Sequence, residues 1–151
     1  MCGIAGFLLN DYGRGKIADK KNIIYSMLEV IKSRGPDDEG HWIDTNEKIV
    51  LGHKRLSIQD LSNAGHQPMV SSNRRYVITY NGEIYNHLEI RTNLQTLGHS
   101  INWKGGSDTE SILESISSLG IESTLNYCEG MFAFALWDNQ KRELYLARDR
   151  F

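Results

Sequence analysis

Short apolar or β-branched runs, each closed by a turn signal, recur along this chain and confine it to an architecture built on antiparallel strands. Residues 76–80 (Tyr-Val-Ile-Thr-Tyr) are the densest of them, and branched and aromatic side chains suit a pleated, half-buried surface. Residues 3–9 read as a short, mostly apolar buried strand. Residues 41–44 and 49–52 read as strands joined by the polar turn 45–48, and residues 131–137 and 144–147 as strands joined by the turn 138–142. Asn81-Gly82 is expected to break the strand that precedes it. Helical spacing is confined to three stretches. Ile23, Ile24, Met27, Val30 and Ile31 predict a helix over 19–33, stopped by Gly35-Pro36. A second is expected over 88–97, closed by Gly98. A third, bearing Ile112, Leu113 and Ile116, has Ser107 or Asp108 as its cap. Several antiparallel strands with about three helices between them give an α+β fold of packed layers.

At 151 residues, the chain suffices for one domain with its own core. There is no repeat, low-complexity tract or interdomain linker. The formal net charge is −2, with 17 basic residues scattered rather than grouped, so no nucleic-acid footprint is expected. No apolar run approaches the roughly 20 residues of a membrane helix, and the N-terminus lacks the regions of a signal peptide. Cys2 and Cys128 are the two cysteines. Without a CxxC pair they fit a reducing, cytoplasmic setting rather than a disulfide scaffold, and the five histidines show no zinc-ligand spacing with them. The chain stops directly after a predicted strand, at Arg148-Asp149-Arg150-Phe151, without a polar tail. It is therefore expected to be residues 1–151 of a longer parent.

Cys2 is the first candidate for chemistry. A small second residue permits removal of Met1, and the mature chain then starts at a cysteine whose own α-amino group lies within reach of its thiol. That amine, with a pKa of about 7.7–8.0, can accept the thiol proton, as in enzymes whose first residue is the nucleophile. Taken singly, a cysteine opening a strand is more often incidental. Singly, too, Asn81-Gly82 reads as a tight turn, Arg55 as a solvated surface arginine and Asp108 as a helix N-terminal residue. His53 and His66 read as structural or loop histidines, and Cys128 as a buried, inert thiol.

Taken in order, the segments say more. Cys2-Gly3-Ile4-Ala5-Gly6 is followed by Ser33-Arg34-Gly35-Pro36-Asp37-Asp38-Glu39-Gly40 and Gly52-His53-Lys54-Arg55-Leu56-Ser57-Ile58. Then come Tyr80-Asn81-Gly82-Glu83-Ile84-Tyr85-Asn86, Ser107-Asp108-Thr109-Glu110, and the tail from Glu129-Gly130-Met131-Phe132 to Arg148-Asp149-Arg150-Phe151. Across essentially its whole length the chain resembles the glutaminase domain of class II glutamine amidotransferases, and most closely that of glutamine-hydrolysing asparagine synthetases. The resemblance implies the N-terminal-nucleophile hydrolase fold, a four-layer αββα sandwich of two antiparallel sheets. It implies Cys2 as nucleophile, with the Asn81 side-chain amide and the Gly82 N–H as oxyanion donors. It implies Arg55 on the α-carboxylate of L-glutamine, Glu83 and Asp108 near the α-amino group, and a lining segment of Leu56, Ser57, Ile58 and Gln59. No cofactor or metal is implied in this chain. ATP and magnesium belong to the C-terminal synthetase domain of the parent, which is the expected partner, and this chain has no Gly-rich phosphate loop. A homodimer stays an open option. The alternatives are a domain serving a different ammonia acceptor, a papain-like pairing of Cys2 with a histidine, and a non-catalytic glutamine-binding or docking domain.

Overall fold

Period-two alternation along three strands builds the layers. A computed structural model of the chain describes residues 2–9, 19–46 and 48–150. The expectations that rest on Met1, on Glu47 within the 45–48 turn and on Phe151 fall outside them. The first sheet has the order β1-β3-β2, from β1 (Gly3–Leu8), β2 (Asp38–Ile43) and β3 (Ile49–Arg55). The second has the order β4-β5-β6-β7, from β4 (Met69–Val70), β5 (Tyr76–Ile84), β6 (Gly130–Asp138) and β7 (Glu143–Arg148). Every pairing is antiparallel.

Successive side chains on a strand point to opposite faces. Ile49 and Leu51 of β3 meet Val77 of β5 and Ala135 and Trp137 of β6 in the layer between the sheets. The intervening Val50 turns outward onto Ile24 and Leu28 of α1 (Lys20–Val30). On the far side, Ile78, Tyr80, Phe134 and Leu136 pack against Ile90 and Leu94 of α2 (His87–Thr96) and Ile112, Leu113 and Ile116 of α3 (Asp108–Leu119). The result is helix, sheet, sheet, helix, the expected αββα order. Full burial of each such side chain stabilises the fold by roughly 1.5–3 kcal/mol.

Local signals explain most element ends. Ser107 caps α3, its side chain accepting from Glu110 N. Gly98 follows α2 at a φ of 85°, the left-handed residue with which helices commonly close. Three expectations need correction. Asn81-Gly82 does not break its strand, because both residues continue β5 and face Ala133 and Phe132 of β6. The helix expected over 19–33 ends at Val30, and a separate 3₁₀ turn occupies Lys32–Arg34. A fourth helix, α4 (Ile121–Tyr127), starts directly after Gly120, whose φ of 88° separates it from α3.

Candidate active site

The nucleophile's position follows from strand register. Gly3 pairs with Lys54, which sets Cys2 beside the end of β3. Its sulfur accepts from Leu56 N at 3.4 Å and donates to Leu56 O at 3.7 Å. No histidine is among its hydrogen-bond partners in the described residues. The Ser33–Asp38 motif braces the same corner. Arg34 Nε donates to Cys2 O at 3.1 Å. Asp37 N donates to Arg55 O at 3.0 Å, and the Asp37 carboxylate accepts from Ser57 N at 2.7 Å. Asp38 pairs with His66 at 2.7 Å.

The opposite wall is the outer edge of β5. β4 pairs with it only at Met69–Ile78 and Val70–Val77. Beyond Ile78 the edge has no strand partner among the described residues, and side chains take over. Tyr80 N donates to Gln67 Oε1 at 2.7 Å, and Tyr80 O accepts from His53 Nε2 at 3.0 Å. Ile84 N donates to Asp108 Oδ2 at 2.9 Å. In an antiparallel ladder, alternate residues direct their backbone groups to opposite sides. Even-numbered residues of β5 therefore face this open edge, while Tyr85 N bonds across to Glu129 O at 2.7 Å. The Gly82 N–H lies on the open edge between the two occupied positions. Only glycine fits there, because a Cβ would overlap Met131 O and Phe132 Cα. The Asn81 side chain belongs to the opposite, inter-sheet face, toward the sheet that carries Cys2. Its Oδ1 is buried without a hydrogen-bond partner among the described residues.

Between these walls lies a pocket of about 240 Å³ lined by Cys2, Arg55, Leu56, Ile58, Gln59, Asn81, Gly82, Glu83 and Asp108. Every residue singled out from the sequence is there except Ser57, which instead pins the segment to Asp37. Arg55 is only 8% exposed. It donates through Nη1 to Ser62 O at 3.0 Å and through Nη2 to Asp60 O, so it shapes the 60–65 loop as well as the pocket wall. A guanidinium has five N–H donors, and the two spent on the loop leave others for a carboxylate. Glu83 accepts from Gln59 Nε2 at 3.1 Å. Asp108 opens α3 and accepts from Tyr80 OH at 2.8 Å besides Ile84 N and Thr109 N. Anionic groups are favoured at that helix end.

Asp60, Gly65, Gln67, Tyr80, Ser107, Thr109 and Met131 complete the pocket, although nothing in the sequence singled them out as lining. Gln67 sits in a stretch without periodicity, so no signal marked it. Arg91 was also missed. It stacks on Trp103 at 4.0 Å and donates to Gly105 O and Ser107 O at 2.9 Å each, holding the loop that delivers Asp108. Burial raises the Tyr80 hydroxyl above its ordinary range, pushes Cys128 up to about 11 and lowers His53 to about 4. Among the described residues, no group of three or more His, Cys, Asp or Glu could hold a metal ion, and no helix is long and apolar enough to cross a membrane.

One small pocket thus brings together a cysteine, an open strand edge, a cation and two carboxylates. The chain belongs to the glutamine amidotransferase domain family, which it matches over residues 1–151. It is 38% identical over 151 residues to asparagine synthetase [glutamine-hydrolyzing] 1 of Bacillus subtilis, covering 100% of this chain and 23% of that protein. With a putative asparagine synthetase [glutamine-hydrolyzing] of Mycobacterium tuberculosis it shares 39% over 160 residues, 100% of this chain and 24% of the relative. The chain thus spans about a quarter of the length of these curated relatives. The fold is also that of glutamine phosphoribosylpyrophosphate amidotransferase from B. subtilis, with a TM-score of 0.67 and 20% identity, over 85% of this chain and 34% of that one.

Proposed function

We propose that Cys2, Asn81 and Gly82 carry out hydrolysis of the glutamine side-chain amide to glutamate and ammonia, with Arg55, Glu83 and Asp108 holding the amino-acid end. The observation that carries this reading is the meeting, in one pocket, of the Cys2 sulfur with the unpaired edge of β5 at Gly82. Once Met1 is removed, the α-amine of Cys2 takes the thiol proton. The sulfur attacks the amide carbon, and the oxyanion is met by the Gly82 N–H and the Asn81 amide. The C–N bond breaks as the amine returns its proton to the leaving nitrogen, and ammonia departs. Water then attacks the γ-glutamyl thioester and regenerates the thiol. Every proton moved is supplied by the chain, the substrate or water.

Arg55 suits the α-carboxylate because its fork is already fixed by Ser62 O and Asp60 O. Glu83 and Asp108 complement the α-ammonium. In the parent, we propose, the ammonia serves ATP-dependent asparagine synthesis by a C-terminal synthetase domain, as the names of the relatives suggest, in a cytoplasmic setting that leaves both cysteines free.

Ammonia release should be measured together with intact mass on the same preparation. Met-processed chain should turn over glutamine, and chain retaining Met1 should not. Cys2→Ala should reduce turnover to background. Full turnover by Met1-bearing protein would refute the amine as base, and unchanged turnover in Cys2→Ala would remove Cys2 from the reaction.

A further inference from the structure

Tyr80 is where β5 loses its outer neighbour, and two side chains from different parts of the chain replace that neighbour at one residue. His53, from β3 in the other sheet, donates to Tyr80 O, and Gln67, from the segment ahead of β4, accepts from Tyr80 N. Both are buried, His53 at 0% exposure and Gln67 at 5%. The His53 Nδ1 has no partner among the described residues, so its bond to that carbonyl is the imidazole's polar tie. A carbonyl only accepts, which places the imidazole proton on Nε2. Gln67 uses its other end to donate to Thr109 Oγ1 at 3.3 Å, linking the edge of β5 to the first turn of α3.

We infer that His53 and Gln67 are positioning residues that hold the C=O and the N–H of Tyr80 on the open edge of β5 and thereby aim the Asn81 amide and the Gly82 N–H at the developing oxyanion. The inference rests on the oxyanion reading of Asn81 and Gly82. Among the described residues no strand ladder fixes this outer edge beyond Ile78. The carbonyl that His53 holds belongs to the peptide joining Tyr80 to Asn81, so its tilt sets the Asn81 Cα and, one peptide further on, the Gly82 N–H. Functional groups of this kind must sit within about 0.5 Å of productive geometry, and a displacement of about 1 Å can lower the rate about 10²-fold. Among the described residues, neither clamp side chain hydrogen-bonds to the Cys2 sulfur or to Arg55, so loss of the clamp should fall on the chemical step rather than on glutamine binding.

The test uses full, Met-processed chain carrying Gln67→Met, which removes the acceptor at similar volume, and His53→Leu, which removes the donor. Gln67→Met should lower kcat about 10- to 100-fold with KM within about threefold. Cys2 alkylation by iodoacetamide, which forms no oxyanion, should stay at the wild-type rate. His53→Gln, which keeps a side-chain donor, should recover part of what His53→Leu loses. In an Asn81→Ala background, Gln67→Met should produce a smaller drop than in wild type. A wild-type kcat in Gln67→Met, a change confined to KM, or alkylation falling in step with turnover would overturn the clamp. If Asn81→Ala itself keeps full kcat, the oxyanion reading fails; if Asn81→Ala is impaired while both clamp variants are not, only this inference fails.

Discussion

Residues 76–79 and 80–84 of β5 are one continuous strand under opposite demands. In the first stretch Tyr76, Val77, Ile78 and Thr79 are all buried, with β6 on one side and, at Val77 and Ile78, β4 on the other. In the second, β6 remains but the outer edge is served by His53, Gln67 and Asp108, and Gly82 and Glu83 are exposed. The first stretch sits at the meeting of both core layers and holds the sandwich together. The second exchanges regular pairing for a gap in which a backbone N–H stays available. Stability and chemistry are thus divided along a single strand, a few residues apart.

Substitutions on either side of Tyr80 should separate those two roles. Ile78→Ala should have the largest effect, a stability loss of about 2–5 kcal/mol in denaturant unfolding, with kcat per folded molecule unchanged. Asn81→Ala should do the reverse, lowering kcat by 10²–10³, or roughly 2.7–4 kcal/mol of barrier, with little change in the unfolding midpoint. If Asn81→Ala instead destabilises as much as Ile78→Ala does, the division is wrong.

His53 should add a pH signature at the boundary. Its folded-state pKa is lowered to about 4 from 6.5, chiefly by burial. Between those values the unfolded chain binds a proton that the native chain does not, so stability rises with pH there. The contribution is fully present above about pH 6.5 and is lost as pH falls toward 4. It amounts to about 3 kcal/mol, since a tenfold change in proton affinity is worth about 1.4 kcal/mol. Unfolding measured across that range should show the slope in wild type and lose it in His53→Gln; an unchanged slope would remove His53 as its source. The smallest effect should come from Thr79→Val. Thr79 Oγ1 donates to Gly52 O at 3.1 Å across the sheets, and losing that bond should destabilise by about 1 kcal/mol without altering kcat.

The strongest local signals were legible in the sequence. The branched and aromatic run in 76–80, the apolar run in 131–137, the Ser107 cap and the Gly98 stop all appear as local patterns, because their causes lie within a few residues. Asn81-Gly82 misled for the same reason. In isolation the pair favours a turn, but pairing with Ala133 and Phe132 overrides that preference. β4 has two residues, too few for any period to show. Motif order and family resemblance pointed to Cys2, Arg55, Glu83 and Asp108. His53 and Gln67 were not legible as a pair, since their relation exists only after two sheets have packed and β4 has stopped short. Arg91 was hidden likewise: its partners Gly105, Ser107 and Ser111 lie on a loop and a helix brought to it by folding.

The brevity of β4 has a further consequence. A bare strand edge is a template for recruiting strands from other molecules, and proteins usually blunt such edges with charge, irregularity or cover. Here the cover is the buried imidazole of His53 together with the amide of Gln67 and the carboxylate of Asp108, the last two lining the pocket. The groups that leave room for a small substrate are therefore the ones that deny a foreign chain its successive hydrogen bonds, and protection against self-association comes from the same side chains as the shape of the site.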